Sequence, residues 1–516
     1  MIKKNRILLF YTANIHSWPF LPNSVLALSG PLLKRGYNPI IIDTGVVDCQ
    51  DFDTENVLAI GVSAYTGSGI VPGIKASKYA KKKNKDILVV WGGPHPTAIP
   101  DQVVNENYID VVCRNDSEDS FVKLLDAYRE GKPLHDIDGI SYKKGEKIIH
   151  NKEAAFVDLD SWDRYPYDLL DISNYPCVKE KFYLQTSRGC PYKCTFCSYD
   201  PAKRWRGRSA ENVVDDIKWV MERFSPKEIV AADANFFTSK KRVQKICEGI
   251  LKEEIHTSWT GTCRFDYFVK YKDEFIDLLK KSGCCELSFG AESASDDILS
   301  QLKKQINYAM IVESIKKAKK HNIGMNIFFM GGFPNEKDSD VEKSLSLIDW
   351  IRDYMPKTNL NGFFIYMPFP GSELFNDDVK LGFNLPKSLS EWGMVDIDMV
   401  HTNQTTPWLT KKKRDRLETI SAIVRFRFFD SEYRKISLEQ KKKRLFGSLF
   451  LVKMYELVNV FFKLSANFRW RIHNFDYAYE WKLWVYARDK LLKQVQVTSS
   501  KLFFWVNRDI KTYNST

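Results

Sequence analysis

Short apolar runs alternate with helix-like stretches over the first 130 residues. Residues 7–11, 39–43, 57–63 and 87–91 are β-rich, and 23–34 and 74–82 read as helices between them. Strand and helix in alternation predict a parallel, doubly wound, flavodoxin-like sheet, whose ligands settle at the C-terminal ends of the strands. Two strands run into loops suited to that role: Ser63-Ala64-Tyr65-Thr66-Gly67-Ser68-Gly69 and Gly92-Gly93-Pro94-His95-Pro96-Thr97. Their glycines permit close backbone approach to a ligand, and their hydroxyls can hydrogen-bond one.

Residues 131–178 are rich in Asp, Lys and Pro and read as a linker with a small hairpin near residues 143–147. A second alternating series follows. Residues 182–186, 228–232, 257–262, 286–289, 324–330 and 362–366 are strand candidates, separated by helical stretches at 210–223, 241–253, 272–282 and 308–321. Six such repeats predict a partial (β/α)6 barrel with its site at the strand C-termini. Beyond about 405 the pattern turns mainly helical. The expected division is 1–135 for the first α/β domain, 136–178 for the linker, 179–400 for the partial barrel and 401–516 for a basic helical domain.

A chain of 516 residues, 44% apolar and 28% charged, has the composition of a multidomain globular protein. Its N-terminus lacks the long apolar stretch and cleavage site of a signal peptide, and no segment reaches the length of a membrane span. A cytoplasmic location is expected, and ten cysteines without a regular disulfide framework fit a reducing compartment. The net charge of +12 is unevenly spread. From residue 411 onward there are 24 Lys and Arg against 10 Asp and Glu, so the basic excess belongs to the C-terminal segment.

The sharpest local signal is Thr186-Ser187-Arg188-Gly189-Cys190-Pro191-Tyr192-Lys193-Cys194-Thr195-Phe196-Cys197. Cys190, Cys194 and Cys197 can each ligate one iron of a four-iron four-sulfur cluster from a single loop, leaving the fourth iron open. Structural zinc normally needs four closed ligands, and no fourth lies nearby in sequence. The other seven cysteines, among them Cys284 and Cys285, read as small buried hydrophobes.

This motif resembles that of the radical S-adenosylmethionine (SAM) superfamily, and the two N-terminal loops resemble those of its branch with a cobalamin-binding domain. The resemblance covers roughly residues 5–380. It implies that Asp233 and Asn235 contact the methionine part of SAM, that Arg264 contacts the same cofactor, and that Glu292 meets its ribose. It also implies that Ser63, Thr66, Gly92 and Gly93 approach cobalamin. Each SAM residue has a structural alternative: Asp233 and Asn235 could end a strand, Glu292 could cap a helix, and Arg264 could pair with Asp266. The sequence departs from the branch in having no DxHxxG motif and in replacing an acidic Gly-Glu loop by Arg114-Asn115-Asp116-Ser117-Glu118. His95 reads as a loop hydrogen-bonder, not a cobalt ligand.

With both cofactors, the resemblance implies methylation of an unactivated carbon or phosphorus centre, with a flavodoxin or ferredoxin as electron donor. Ring formation or rearrangement is the alternative within the branch, and a nonenzymatic metal- or lipid-binding protein is the alternative outside it. The basic, aromatic-rich C-terminus fits either a membrane surface or lipid-like substrate, or a helical domain packed on the barrel. No recognisable RNA-binding module accompanies it, so nucleic acid is not an expected partner.

Overall fold

A computed structural model describes residues 5–12, 20–50, 52–161, 163–175, 177–198, 204–395, 406–428 and 449–476, with the side chains of 426 and 449–459 excepted. The basic run 441–444, the apolar Leu445 and Phe446, and Tyr477, Tyr479, Trp481, Trp484 and Tyr486 lie outside the described residues.

The first sheet contains β1 (Arg6–Tyr11), β2 (Asn38–Asp43), β3 (Val57–Ser63), β4 (Leu88–Gly92), β5 (Val111–Cys113), β6 (Ile140–Lys144) and β7 (Lys147–His150). Their order is β2-β1-β3-β4-β5-β6-β7, with the first five strands parallel. Strand periodicity sends alternate residues to opposite faces. Leu8 and Phe10 of β1, with Val89 and Trp91 of β4, enter one core; Ile7 and Leu9, with Leu88 and Val90, enter the other. Every residue of β3 is buried, as a central parallel strand covered on both faces requires. The β6–β7 hairpin is antiparallel and extends this sheet, so part of the stretch read as linker is sheet edge. The polar turn at Gly145 (φ +63°) made that hairpin legible; its pairing with β5 was not.

The second series begins with β8 (Lys181–Leu184), then the short antiparallel pair β9 (Ser187–Arg188) and β10 (Arg206–Gly207). It continues through β11 (Glu228–Ala231), β12 (Ser258–Thr262), β13 (Cys284–Glu292), β14 (Gly324–Gly331) and β15 (Asn359–Ile365). The six-stranded sheet runs β15-β14-β13-β12-β11-β8, an order that follows the chain as an open (β/α)6 barrel requires. Side-chain caps start the intervening helices: Ser209 accepts from Asn212 N, Ser239 from Arg242 N and Asn307 from Met310 N.

The chain divides into two compact units. The first holds the flavodoxin-like sheet, most of the barrel and residues 367–408. In the second, the helix Lys411–Phe428 packs against β15 and against the helix Leu449–Arg471. Phe428 meets Trp470 edge-on at 5.0 Å, and Trp470 meets Phe475 at 5.5 Å. No helix among the described residues is long and apolar enough to cross a membrane.

Candidate functional site

The cysteine loop leaves β8 and is clamped by one buried carboxylate. Asp233, just past β11, accepts hydrogen bonds from Thr186 N (2.7 Å), Thr186 Oγ1 (2.6 Å), Ser187 N (2.9 Å) and Ser187 Oγ (2.7 Å). Burial pushes its carboxyl above the usual range, and these donors oppose the shift. Arg242 secures the same turn by donating Nη2 to Thr186 O at 2.8 Å. Both Asp233 oxygens are thus engaged by the loop. Asn235, two residues on, is different. It is 1% exposed, and neither its Nδ2 nor its Oδ1 has a hydrogen-bond partner. A buried amide with both ends unpaired is costly unless a ligand completes it.

Gly189, at φ +79°, turns the chain into Cys190. Thr195 ties the loop to the barrel, its N–H donating to Leu302 O at 3.1 Å and its carbonyl accepting from Leu374 N at 2.8 Å. Burial pushes the Cys190 thiol up; the Tyr192 amide and Arg264 pull it down, while Cys197 and Cys194 push it up. The three sulfurs therefore stand within electrostatic reach of one another, on a loop that supplies three soft donors and no fourth. Among the described residues no three His, Cys, Asp or Glu side chains are grouped closely enough to hold a single metal ion. That donor set fits three irons of a cluster and leaves one iron open.

Arg264 follows β12 and reaches this loop. Its Nη1 lies 3.8 Å from Cys194 Sγ, its Nη2 donates to Lys304 O, and its guanidinium lies 3.4 Å from the Tyr192 ring centre. Nε donates to Asp266 Oδ1 at 2.8 Å, so the pairing with Asp266 read as an alternative does occur, but buried. A donor on a ligating sulfur tunes a cluster's charge and potential.

Glu292, the last residue of β13, takes φ +61°, unusual for a side chain other than glycine. Its Oε1 accepts from Lys304 Nζ at 2.5 Å, and both residues are at most 9% exposed. A side chain at position 290 would place its Cβ 2.1 Å from Glu292 Oε1 and 2.9 Å from Lys304 Nζ, so Gly290 makes room for the pair. Sequence reading missed Lys304, whose only local signal was a second lysine after Lys303 in a polar stretch.

On the first sheet, the loops after β3 and β4 meet. Ala64 N donates to Gly92 O at 2.9 Å and His95 N to Ala64 O at 3.2 Å. Gly93, at φ +95°, lies so close that a Cβ there would stand 2.9 Å from Ala64 O, and one at Gly67 would stand 2.7 Å from Val395 O. Ser63 Oγ donates to Ser24 Oγ at 2.9 Å, and Thr66 Oγ1 shares a 2.9 Å hydrogen bond with His95 Nδ1. Ser63, Thr66, Gly92 and Gly93 are therefore brought together. His95 is 1% exposed, burial drives its pKa down to about 3, and its Nε2 has no partner. Trp392 meets its ring edge-on at 5.5 Å and likewise leaves Nε1 unpaired. Glycine cradles, small hydroxyls and unpaired buried nitrogens fit a large polar ligand at the strand ends. Trp392 and Val395 escaped sequence reading because they join the site from 300 residues away.

Two families of known proteins match the stretches that carry these residues. Residues 184–348 match the Radical SAM superfamily and residues 25–125 the B12 binding domain. An uncharacterized methyltransferase of Pyrococcus horikoshii is 30% identical over 401 residues, 75% of this chain and 85% of that protein. The chain belongs to the cobalamin-dependent radical SAM enzymes. As such it works with a four-iron four-sulfur cluster, SAM and cobalamin. A second relative, the anaerobic magnesium-protoporphyrin IX monomethyl ester cyclase of Rubrivivax gelatinosus, is 26% identical over 86% of this chain and 81% of its own. The structure of the methyltransferase TsrM from Kitasatospora setae with cobalamin and cluster bound shares the fold, with a TM-score of 0.64 at 16% identity over 73% of this chain and 78% of that one. Among radical SAM enzymes with this domain order, the expected fold and cofactors are thereby met.

Proposed function

We propose that this radical SAM enzyme methylates an unactivated carbon or phosphorus centre of a small molecule. The carrying observation is that the three-thiol loop and the glycine cradle lie in one compact unit, in a chain similar over 75% of its length to a methyltransferase. When bound, the cluster supplies the electron that cleaves SAM, and cobalamin carries the methyl group.

The chain's residues divide the remaining work. Cys190, Cys194 and Cys197 hold the cluster, and Asp233 holds their loop through Thr186 and Ser187. Arg264 donates toward Cys194 Sγ. Asn235 offers its unpaired amide to the amino-acid part of SAM, Lys304 a cation to that part's carboxylate, and Glu292 acceptors to the ribose hydroxyls. Ser63, Thr66, Gly92 and Gly93 line the approach to cobalamin. A flavodoxin or ferredoxin delivers the electron, and the C-terminal helix touches an anionic membrane surface.

Anaerobic reconstitution tests this reading. The holoenzyme should show iron–sulfur absorbance, form 5′-deoxyadenosine, and transfer label from methyl-labelled SAM into a product in cell extract. Ring formation is the second reading, favoured by the likeness to the Rubrivivax gelatinosus cyclase. It predicts 5′-deoxyadenosine and a product mass change without incorporated label.

A further inference from the structure

The loop after β5 and the arginines beside the cysteine loop meet in a buried ion network. Arg188 Nη1 donates to Glu118 Oε1 at 2.7 Å and lies 3.5 Å from Asp116 Oδ1, while Arg206 pairs with the other Asp116 oxygen. The four side chains are between 4% and 15% exposed. Arg188 and Arg206 are direct partners across β9 and β10, so the two guanidiniums leave one hairpin side by side. Arg206 also stacks on Phe156 at 4.3 Å, and Arg188 reaches Tyr165 Oη and Gln185 Oε1 at 3.3 Å each.

Both ends of this network touch a cofactor loop. Arg188 is two residues before Cys190. Asn115, next to Asp116 and held at φ +57°, donates its amide to Thr97 Oγ1 at 3.0 Å, in the loop that starts at Gly92. A short path thus runs from Thr97 through Asn115, Asp116 and Glu118 to Arg188 and on to Cys190. Buried ion pairs contribute little net stability once desolvation is counted, but they do fix register, because a shifted partner leaves a buried charge uncompensated. The acidic loop that departs from the branch's Gly-Glu pattern therefore keeps its carboxylates and uses them across a domain boundary.

We infer that Asp116 and Glu118 are positioning residues that fix the iron–sulfur loop relative to the cobalamin loop. The inference rests on the family's two cofactors. Its tests use the full chain and the double variant D116N/E118Q, which removes both charges and keeps both shapes. Reconstituted with cluster and hydroxocobalamin, the variant should hold both as the parent does. Pulsed electron paramagnetic resonance between the reduced cluster and cob(II)alamin should show a broadened distance distribution. Hydrogen exchange on the chain without cofactors gives an independent readout: the amides of residues 187–190 should exchange about tenfold faster in the double variant. An unchanged distance distribution or unchanged exchange overturns the inference. So does loss of the cluster itself in D116N/E118Q, which would make the network part of cluster assembly. A parent chain that takes up no cobalamin counts against the cofactor reading instead, and the exchange experiment still decides the role of the two carboxylates.

Discussion

Lys304 Nζ sits 2.5 Å from Glu292 Oε1 at a point where Glu292 is held at φ +61°. Strained backbone of this kind costs about 1–3 kcal/mol and persists where the surroundings enforce it. Here Gly290 clears the space and Arg264 grips the Lys304 carbonyl. Removing the Glu292 charge as E292Q should weaken SAM binding about ten- to a hundredfold, the value of about 1.5–3 kcal/mol for a hydrogen bond to a charged group. Iron content should not change. Isothermal titration of SAM into the reconstituted enzyme checks this, and unchanged affinity would remove Glu292 from the SAM site.

Asp233 separates a clamp from a ligand. In D233N, Oδ1 can still accept from the Thr186 and Ser187 amides while Nδ2 donates to their hydroxyls, which rotate to receive it. The expected outcome is a cluster content close to the parent's and unchanged SAM affinity. D233A leaves two buried N–H groups unpaired, at about 1–3 kcal/mol each, and should lose most of the cluster. A D233N variant with full cluster and weakened SAM binding would place Asp233 in the SAM site.

Alanine at Cys190, Cys194 or Cys197 should abolish iron–sulfur absorbance and 5′-deoxyadenosine formation, since each thiolate holds one iron. Alanine at Cys284 or Cys285 should leave both intact. These two lie on β13 with Cys284 fully buried, and burial drives its thiol far above the usual range, the state of a packing group. A full cluster in all three single variants would end the assignment.

The strands, the main helices and the cysteine loop were legible because each is a local pattern: alternation, helical spacing, or three thiols within eight residues. What the sequence hid depends on pairing across distance. Trp392 meets His95 from a segment that follows the barrel strands in the chain, and Glu118 after β5 meets Arg188 beside the cysteine loop. Nothing in the polar run around Lys303 and Lys304 marks one lysine as surface and the other as buried against Glu292. Asp233 shows a related limit: its position after a strand was legible, but the four loop donors it accepts from were not.

His95 should make stability depend on pH. Burial lowers its folded pKa to about 3, below an unfolded value of about 6.5. Its neutral form is therefore stabilising above pH about 6.5, and that contribution is lost as pH falls toward 3, because the unfolded chain binds the proton first. In urea titrations the parent should lose more stability between pH 7.5 and 5 than H95N does. Parallel losses in the two proteins would show that His95 is not buried neutral.

The helix Leu449–Arg471 carries apolar residues on two opposite faces. Phe462, Ala466 and Trp470 are 2–3% exposed and point inward, while Val460, Phe461, Leu464, Phe468 and Ile472, the last just beyond the helix end, are 52–64% exposed. At 100° per residue the two sets lie half a turn apart, so the buried face already answers the packed-domain reading and leaves the other face unexplained by it. Exposed Lys463 stands between the two faces and exposed Arg471 on the outer one, within a segment carrying 24 basic against 10 acidic residues. An apolar stripe edged by cations is how a helix lies in an anionic lipid interface. The full-length protein should therefore float with vesicles containing phosphatidylglycerol at low salt. It should bind less as salt rises, because each basic residue near such a surface contributes about 1 kcal/mol through a screened field. F461E/F468E puts two carboxylates into the stripe while leaving Phe462, Ala466 and Trp470 untouched, so it should abolish flotation without altering cluster content. Protein that stays in the soluble fraction at low salt, or a variant that floats as well as the parent, would leave the stripe to another occupant.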